Sequence, residues 1–263
     1  MTESNGKPVA LITGGGTGVG AASALQLAKR GYNVAVNYSR SQDEAEETAA
    51  AARACGVDAV ALKGTVAEDA DCRSIVRQTV ERWGRLDALV NSAGTTQFAA
   101  LADLDKQNAE DLQRVYGVNV IGVYQMVRAA EPHLRKSDSG AVVNISSIAG
   151  VNGNGSSIAY IASKGALNTL TLTLARLLSP EVRVNVVLPG LIDTRWLPAG
   201  LGNETFEAVK QNFANTSALG EVCSADDIAD AVTFLVCDAR KMTGQFVTVD
   251  AGFMLGRPAR VSK

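Results

Sequence analysis

Short apolar runs recur along this chain and alternate with longer stretches whose apolar positions return every three or four residues. The runs Pro8–Thr13, Asn33–Tyr38, Val57–Leu62, Leu86–Val90, Ala141–Ile145, Val182–Leu188 and Phe246–Val249 read as strands, most of them buried on both faces. Between them, Ala21–Arg30, Asp43–Cys55, Glu68–Trp83, Ala109–Lys136, Ile158–Leu178 and Ser224–Cys237 read as helices. Gly31 and Gly84 stop two of these helices, Pro180 lies just past a third, and Pro132 is expected to kink or end a fourth. Residues 196–218 are less regular, broken by Pro198, Gly200 and Gly202 before a short helix at Glu204–Phe213. Strict alternation of strand and helix predicts an α/β chain: a Rossmann-type, doubly wound parallel sheet of about seven strands with helices on both faces. No repeat or linker divides it, so residues 1–263 read as one domain.

The turns between these elements carry the candidate chemistry, because ligands of such sheets bind at the carboxyl ends of the strands. The first strand runs straight into Gly14-Gly15-Gly16-Thr17-Gly18-Val19-Gly20 and then a helix. Glycines let the backbone approach a pyrophosphate, and the helix start offers free N–H groups and the positive end of a dipole. The second strand ends in Tyr38-Ser39-Arg40-Ser41, with no carboxylate for a ribose 2′-hydroxyl; an arginine there suits a 2′-phosphate, which favours NADP over NAD. Small residues, Asn91-Ser92-Ala93-Gly94, follow the fourth strand and permit a ligand to lie on the backbone. Ser147 follows the fifth. Tyr160 and Lys164, four apart on a helix, share one face, where a cation beside a phenol favours the phenolate. A Tyr-x-x-x-Lys pair alone equally describes a packed ring beside a solvated amine. Asn119, a polar amide among Val118, Val120, Ile121 and Val123, needs a partner: either a nearby backbone group or a proton relay.

Taken together these residues resemble the short-chain dehydrogenase/reductase family over nearly the whole chain, from Val9 to about Gly252. The family's Thr-Gly-x-x-x-Gly-x-Gly turn matches Thr13-Gly14 through Gly18-Val19-Gly20, and its Asn-Asn-Ala-Gly appears as Asn91-Ser92-Ala93-Gly94. Its Tyr-x-x-x-Lys falls on Tyr160 and Lys164, its asparagine on Asn119, its Pro-Gly on Pro189-Gly190, and its serine, thirteen before the tyrosine, on Ser147 rather than Ser146. An aspartate that often follows the third strand is replaced by Thr65.

The resemblance implies an enzyme that moves hydride between a nicotinamide and a carbonyl carbon. It implies Tyr160 as proton donor, Ser147 as its partner on the substrate oxygen, and Lys164 as the group that lowers the Tyr160 pKa and holds the ribose. Asn119 would hold a water that leads from Lys164 to solvent. Gly14, Thr17, Gly18, Val19, Tyr38, Ser39, Arg40, Thr65, Val66, Asn91, Ala93, Gly94, Pro189, Gly190, Ile192 and Thr194 would join Tyr160 and Lys164 around the cofactor, with the Thr194 hydroxyl and the backbone near Ile192 anchoring the carboxamide. Ser147, Asn154, Tyr160 and Trp196 would meet the substrate. A lid at about 191–218 would add Leu191, Leu197, Phe206 and Phe213, which favour a partly apolar carbonyl substrate. The chain looks most like 3-oxoacyl-[acyl-carrier-protein] reductases, with sugar or polyol dehydrogenases as the alternative and a non-catalytic nucleotide-binding regulator as a distant third. The family also implies a homotetramer, built through the helices 109–136 and 158–178 and the segment Phe253–Lys263.

Composition narrows this further. A formal charge of −2 across 263 residues offers no case for nucleic acid or an anionic membrane, and no run approaches the length of a membrane span. The polar start, Met1–Lys7, lacks a signal-peptide core, so a cytoplasmic location is expected. Cys55, Cys72, Cys223 and Cys237 are widely spaced and His133 is the one histidine, so reduced thiols and no metal site are expected.

Overall fold

The computed structural model describes residues 6–257, without the side chains of Leu197, Ala199 and Leu201. Seven parallel strands form one sheet in the order β3-β2-β1-β4-β5-β6-β7. They are β1 (Val9–Thr13), β2 (Asn33–Tyr38), β3 (Ala59–Lys63), β4 (Ala88–Asn91), β5 (Ala141–Ile145), β6 (Arg183–Pro189) and β7 (Phe246–Val249). The interior strands are valine-, alanine- and isoleucine-rich because both faces are covered. Along β1, Ala10 and Ile12 enter one core while Val9 and Leu11 enter the other. Helices α1 (Gly18–Lys29), α2 (Gln42–Ala54) and α10 (Ala225–Cys237) close the first core through Leu27, Ala45 and Ile228. Helices α3 (Asp69–Trp83), α5 (Gly122–Leu134) and α7 (Ile158–Leu178) close the second through Ile75, Met126 and Leu167.

The chain turns outward in opposite directions from β1, which pairs with β2 on one side and β4 on the other. That divergence opens a crevice beyond the strand ends, and the functional residues collect there.

The elements agree with the pattern reading in type and differ at their edges. Helix α1 starts at Gly18 rather than Ala21, so the last two glycines of the turn are helical. Gly20 allows this: a Cβ there would lie 2.2 Å from the Gly14 carbonyl oxygen, so the helix can press onto the turn only without a side chain. Strands β3 and β4 begin two residues later than their apolar runs suggest.

The stretch 109–136 is two helices, α4 (Ala109–Tyr116) and α5, joined by a π turn at Gly117–Ile121. Pro132 does not end α5, which continues past it to Leu134; it is exposed in the last turn, where its bulk meets water. A four-residue helix, α6 (Ala149–Asn152), follows β5 unannounced. The irregular 196–218 stretch is likewise two helices, α8 (Trp196–Leu201) and α9 (Asn203–Thr216). Pro198 is tolerated in the first turn of α8, where the N–H it lacks would have had no helical partner.

The Gly14–Gly20 contact predicts an asymmetry. Gly20→Ala should cost about 1–3 kcal/mol, because only backbone can give way. Gly117→Ala, with nothing within 4 Å of its Cβ, should be neutral or stabilising. Paired urea melts check both.

Candidate active site

The site is assembled by hydrogen bonds that draw the strand ends together. The Thr13 hydroxyl at the end of β1 accepts from the backbone N–H groups of Ser92 and Ala93, each at 3.1 Å. A Cβ on Gly14 would meet the Ala93 backbone at 2.9 Å, so the close approach of the two turns requires glycine at this φ of +61°. On the far side, the Asn37 amide donates to the Leu62 and Gly64 carbonyls at 3.1 and 3.0 Å, tying the end of β2 to the loop that carries Thr65 and Val66.

These ends line an open cleft of about 2170 Å³. That exceeds the roughly 300–1,000 Å³ of a pocket for one ligand, leaving room for a dinucleotide and a substrate. Gly14, Thr17, Gly18 and Val19 form its floor at the start of α1, where Thr17 makes no side-chain cap and leaves the first N–H groups free for an anion. Tyr38, Ser39 and Arg40 line one end, and Arg40 makes no ion pair among the described residues. Thr65 and Val66 line the wall beside them; the Thr65 N–H is held by Asp71 at 2.8 Å and the Val66 carbonyl accepts from Gln125 at 3.1 Å. Ala93, Gly94, Pro189, Gly190, Ile192 and Thr194 line the middle. These groups fit a nicotinamide dinucleotide: a glycine cradle, free helix-start donors and a cation at the adenosine end.

Asn91 is different. Its side chain is buried and donates to Asn144 at 2.9 Å, which in turn donates to Thr171 on α7 at 2.9 Å. This amide ladder beneath the cleft braces β4, β5 and α7, so the Asn91 side chain does not reach a cofactor.

At the other end Ser147, Tyr160 and Lys164 line the same cleft. Ser146 is buried and donates to the Lys164 carbonyl at 3.2 Å, which separates the two serines cleanly. Ser157 caps α7 by accepting the Tyr160 N–H at 3.2 Å, so the phenol projects from the first turn. Gly150 lets α6 press on α7 at Lys164, where a Cβ would lie 2.6 Å from the Lys164 carbonyl carbon.

The Lys164 ammonium is buried and donates to the Ile145 carbonyl at 2.8 Å, 5.5 Å from the Tyr160 ring centre. Burial pulls its pKa down to about 8. Burial also pushes the Tyr160 phenol up to about 12, and only the Ser147 hydroxyl offsets it. This corrects the expectation that Lys164 lowers the phenol. In the free cleft the amine is committed to Ile145 and desolvation wins, so Tyr160 is held protonated at neutral pH.

Asn119 sits in the π turn, behind the cleft. Its amide donates to the Thr95 carbonyl at 2.9 Å and the Ser163 hydroxyl at 3.0 Å, and its oxygen accepts the Thr95 N–H at 2.8 Å. Backbone groups of Thr95 and the Ser163 hydroxyl satisfy it, as one of its two readings expects. A Cβ on Gly94 would lie 3.7 Å from Asn119 Oδ1 and 3.9 Å from Lys164 Nζ.

The substrate end has two kinds of wall. Trp196 meets Tyr160 edge-on, ring centres 5.8 Å apart, and Phe213 stacks on Phe253 at 3.9 Å. Phe206 is buried within the lid and does not face the cleft, because α9 turns it inward. Leu191 lines the cleft, and the Leu197 side chain lies outside the described residues. Opposite, Asn154 lines the mouth and the Thr96 and Ser156 hydroxyls lie 2.7 Å apart.

Pattern reading missed Ser163, Phe98 and the Thr96–Ser156 pair. Phe98 had one signal, a glycine across from it: a Cβ on Gly200 would lie 1.9 Å from the Phe98 ring. Among the described residues no group of side chains could hold a metal, all four cysteines are free thiols, and no helix is long and apolar enough to cross a membrane.

A family model described as "Enoyl-(Acyl carrier protein) reductase" matches residues 14–254. The chain is 43% identical to "Granaticin polyketide synthase putative ketoacyl reductase 2" of Streptomyces violaceoruber, over 95% of this chain and 98% of that protein. It is 36% identical to the 3-oxoacyl-[acyl-carrier-protein] reductase FabG of Staphylococcus aureus, over 94% of this chain and 98% of that one. The crystal structure of a short chain dehydrogenase from Burkholderia cenocepacia in complex with NADP superposes with a TM-score of 0.85 at 33% identity, covering 94% of this chain and 98% of the other.

The depressed Lys164 pKa has a consequence for stability. Its folded value, about 8, lies below the unfolded lysine value near 10.4. The cost of burying the charge is fully present below pH 8 and is relieved as the native amine deprotonates while the unfolded one does not. From pH 7 to pH 10 the parent protein should gain about 2 kcal/mol relative to Lys164→Met, read from paired urea melts.

Proposed function

The chain belongs to the short-chain dehydrogenase/reductase family, oxidoreductases that interconvert alcohols and carbonyls with a nicotinamide cofactor, and on that premise we propose that it reduces 3-oxoacyl thioesters with NADPH. The end-to-end match to relatives named ketoacyl reductase and 3-oxoacyl-[acyl-carrier-protein] reductase carries this reading. The unpaired Arg40 at the adenosine end supports the 2′-phosphate. The cleft, open at its mouth and part aromatic, suits an acyl chain whose thioester end stays in solvent.

When bound, the reduced nicotinamide supplies hydride to the carbonyl carbon. Tyr160, held protonated by burial, gives its proton to the developing alkoxide, and the Ser147 hydroxyl orients the same oxygen. Lys164 would hold the nicotinamide ribose and set its charge against the phenolate as it forms. Asn119 would hold a water that leads from Lys164 to solvent and so returns the proton. Ile192 and Thr194 fix the carboxamide and so the hydride face. A sugar or polyol dehydrogenase is the second reading, favoured by the Thr96–Ser156 hydroxyl pair on the substrate wall.

We also read the protein as a cytoplasmic homotetramer. Exposed apolar side chains support two self-contacts: Tyr124 and Leu177 on α5 and α7, and Phe234 and Phe246 on α10 and β7. Of the second contact expected from the sequence, the segment Phe253–Lys263, residues 258–263 lie outside the described residues.

Nucleotide absorbance with a short 3-oxoacyl thioester tests the reaction. NADPH should be consumed far faster than NADH. If neither is consumed while NADPH still binds, the thioester reading gives way to the polyol one. Tyr160→Phe should lose at least about a hundred-fold in turnover while nucleotide affinity changes less than about two-fold. Retained turnover without the phenol would overturn the assignment.

A further inference from the structure

Arg195 and Glu44 form an ion pair at 2.7 Å that no step above uses. Its two members come from opposite walls of the cleft. Glu44 stands in the first turn of α2, just past Ser39-Arg40-Ser41, and lines the adenosine end. Arg195 follows Thr194 at the root of the lid and also lines the cleft. The same lid segment touches the floor: the Thr194 methyl lies 3.6 Å from where a Gly18 Cβ would be. The 194–195 segment therefore bridges the trough between the glycine turn and α2, over the ground that a dinucleotide's phosphates must cross.

The neighbouring lid charge is already spoken for. Asp193 is paired with Lys210 of α9, so Arg195 is the lid-root cation turned toward the trough. Its side chain is 61% exposed and that of Glu44 36%, and ion pairs so exposed hold weakly. A phosphate carries more acceptor oxygens than a carboxylate and matches the guanidinium fork equally well. Glu44, four residues past Arg40 in the sequence, would otherwise repel a phosphate in that place.

We infer that Arg195 is a cofactor-contacting residue: on dinucleotide entry its guanidinium leaves Glu44 for a phosphate of the cofactor, and this exchange draws the lid root down onto the bound nucleotide. Glu44 is then a competitor that keeps Arg195 parked at the trough until phosphate arrives. The inference rests on the dinucleotide occupying this trough, as read above, and adds a second cation to Arg40. The receiving phosphate is either the pyrophosphate or the ribose 2′-phosphate.

The two roles give opposite signs in one titration. NADPH and NADH affinities are measured by fluorescence for the parent, Arg195→Gln and Glu44→Gln at low and moderate salt. Arg195→Gln should weaken NADPH binding by about five-fold and flatten its salt dependence, whereas Glu44→Gln should tighten it by about two- to three-fold. An equal loss for NADH in Arg195→Gln assigns the pyrophosphate; a loss confined to NADPH assigns the 2′-phosphate. If the pair is only a structural tie, both variants shift affinity in the same direction or neither does, and either result overturns the inference. Arg40→Gln, run in the same titration, reports on NADPH-over-NADH preference, so the cofactor reading and this one fail on different variants.

Discussion

The buried ammonium of Lys164 constrains the whole active end of this protein. A lysine in an apolar interior is costly, and here it is tolerated because the Ile145 carbonyl accepts a hydrogen bond from it. That requirement reaches into several elements. Strand β5 must end at Ile145 with its carbonyl turned out of the sheet ladder. Gly150 must lack a side chain, so that α6 can seat on α7 at Lys164. Asn119 must stay fixed, and the Thr95 backbone and Ser163 fix it. The residues that do chemistry and those that support it are therefore one hydrogen-bonded unit.

The second constraint is the parting of the chain on either side of β1. It creates the crevice, but the crevice is usable only because the turns around it are drawn together with no bulk between them. Thr13 grips the turn after β4, and Gly14 and Gly20 remove the side chains that would hold the turns apart. Beneath them, the Asn91–Asn144–Thr171 ladder joins two strands to α7 through side chains alone. Buried polar networks of this kind hold their members in place where they are satisfied, and here every rung is made except at the Asn91 oxygen, which is buried without a partner among the described residues.

Strands and helices were legible from the sequence because burial on both faces writes continuous apolar runs, and because Gly31 and Gly84 punctuate the helices. The glycine turn, Ser147, Tyr160 and Lys164 were legible because their spacing along the chain reflects their meeting at strand ends. What escaped was set by contacts remote in sequence. The π turn at 117–121 leaves no periodic mark, since one extra residue per turn is lost among Val118, Val120 and Ile121. Gly122, pressed against Val66, explains the tight fit there but has no local signature. The direction of the Tyr160 and Lys164 shifts was also hidden: a four-residue spacing promises attraction, but whether attraction or desolvation wins depends on a carbonyl nineteen residues away in sequence. The side-chain partner of Asn91 was hidden for the same reason, lying fifty-three residues on.

The floor and the lid supply different walls of the cleft. Glycine φ angles, strand ends and buried amides shape the floor. The lid is tied at its root by the Ile192–Cys223 bridge and by surface ion pairs, and at its far end by the Ala218 N–H, which donates to the Gly252 carbonyl, and by the Phe213 ring stacked on Phe253. Between those ties Trp196 brings its ring edge-on to Tyr160, so the wall beside the phenol is contributed by a lid side chain and not by the floor.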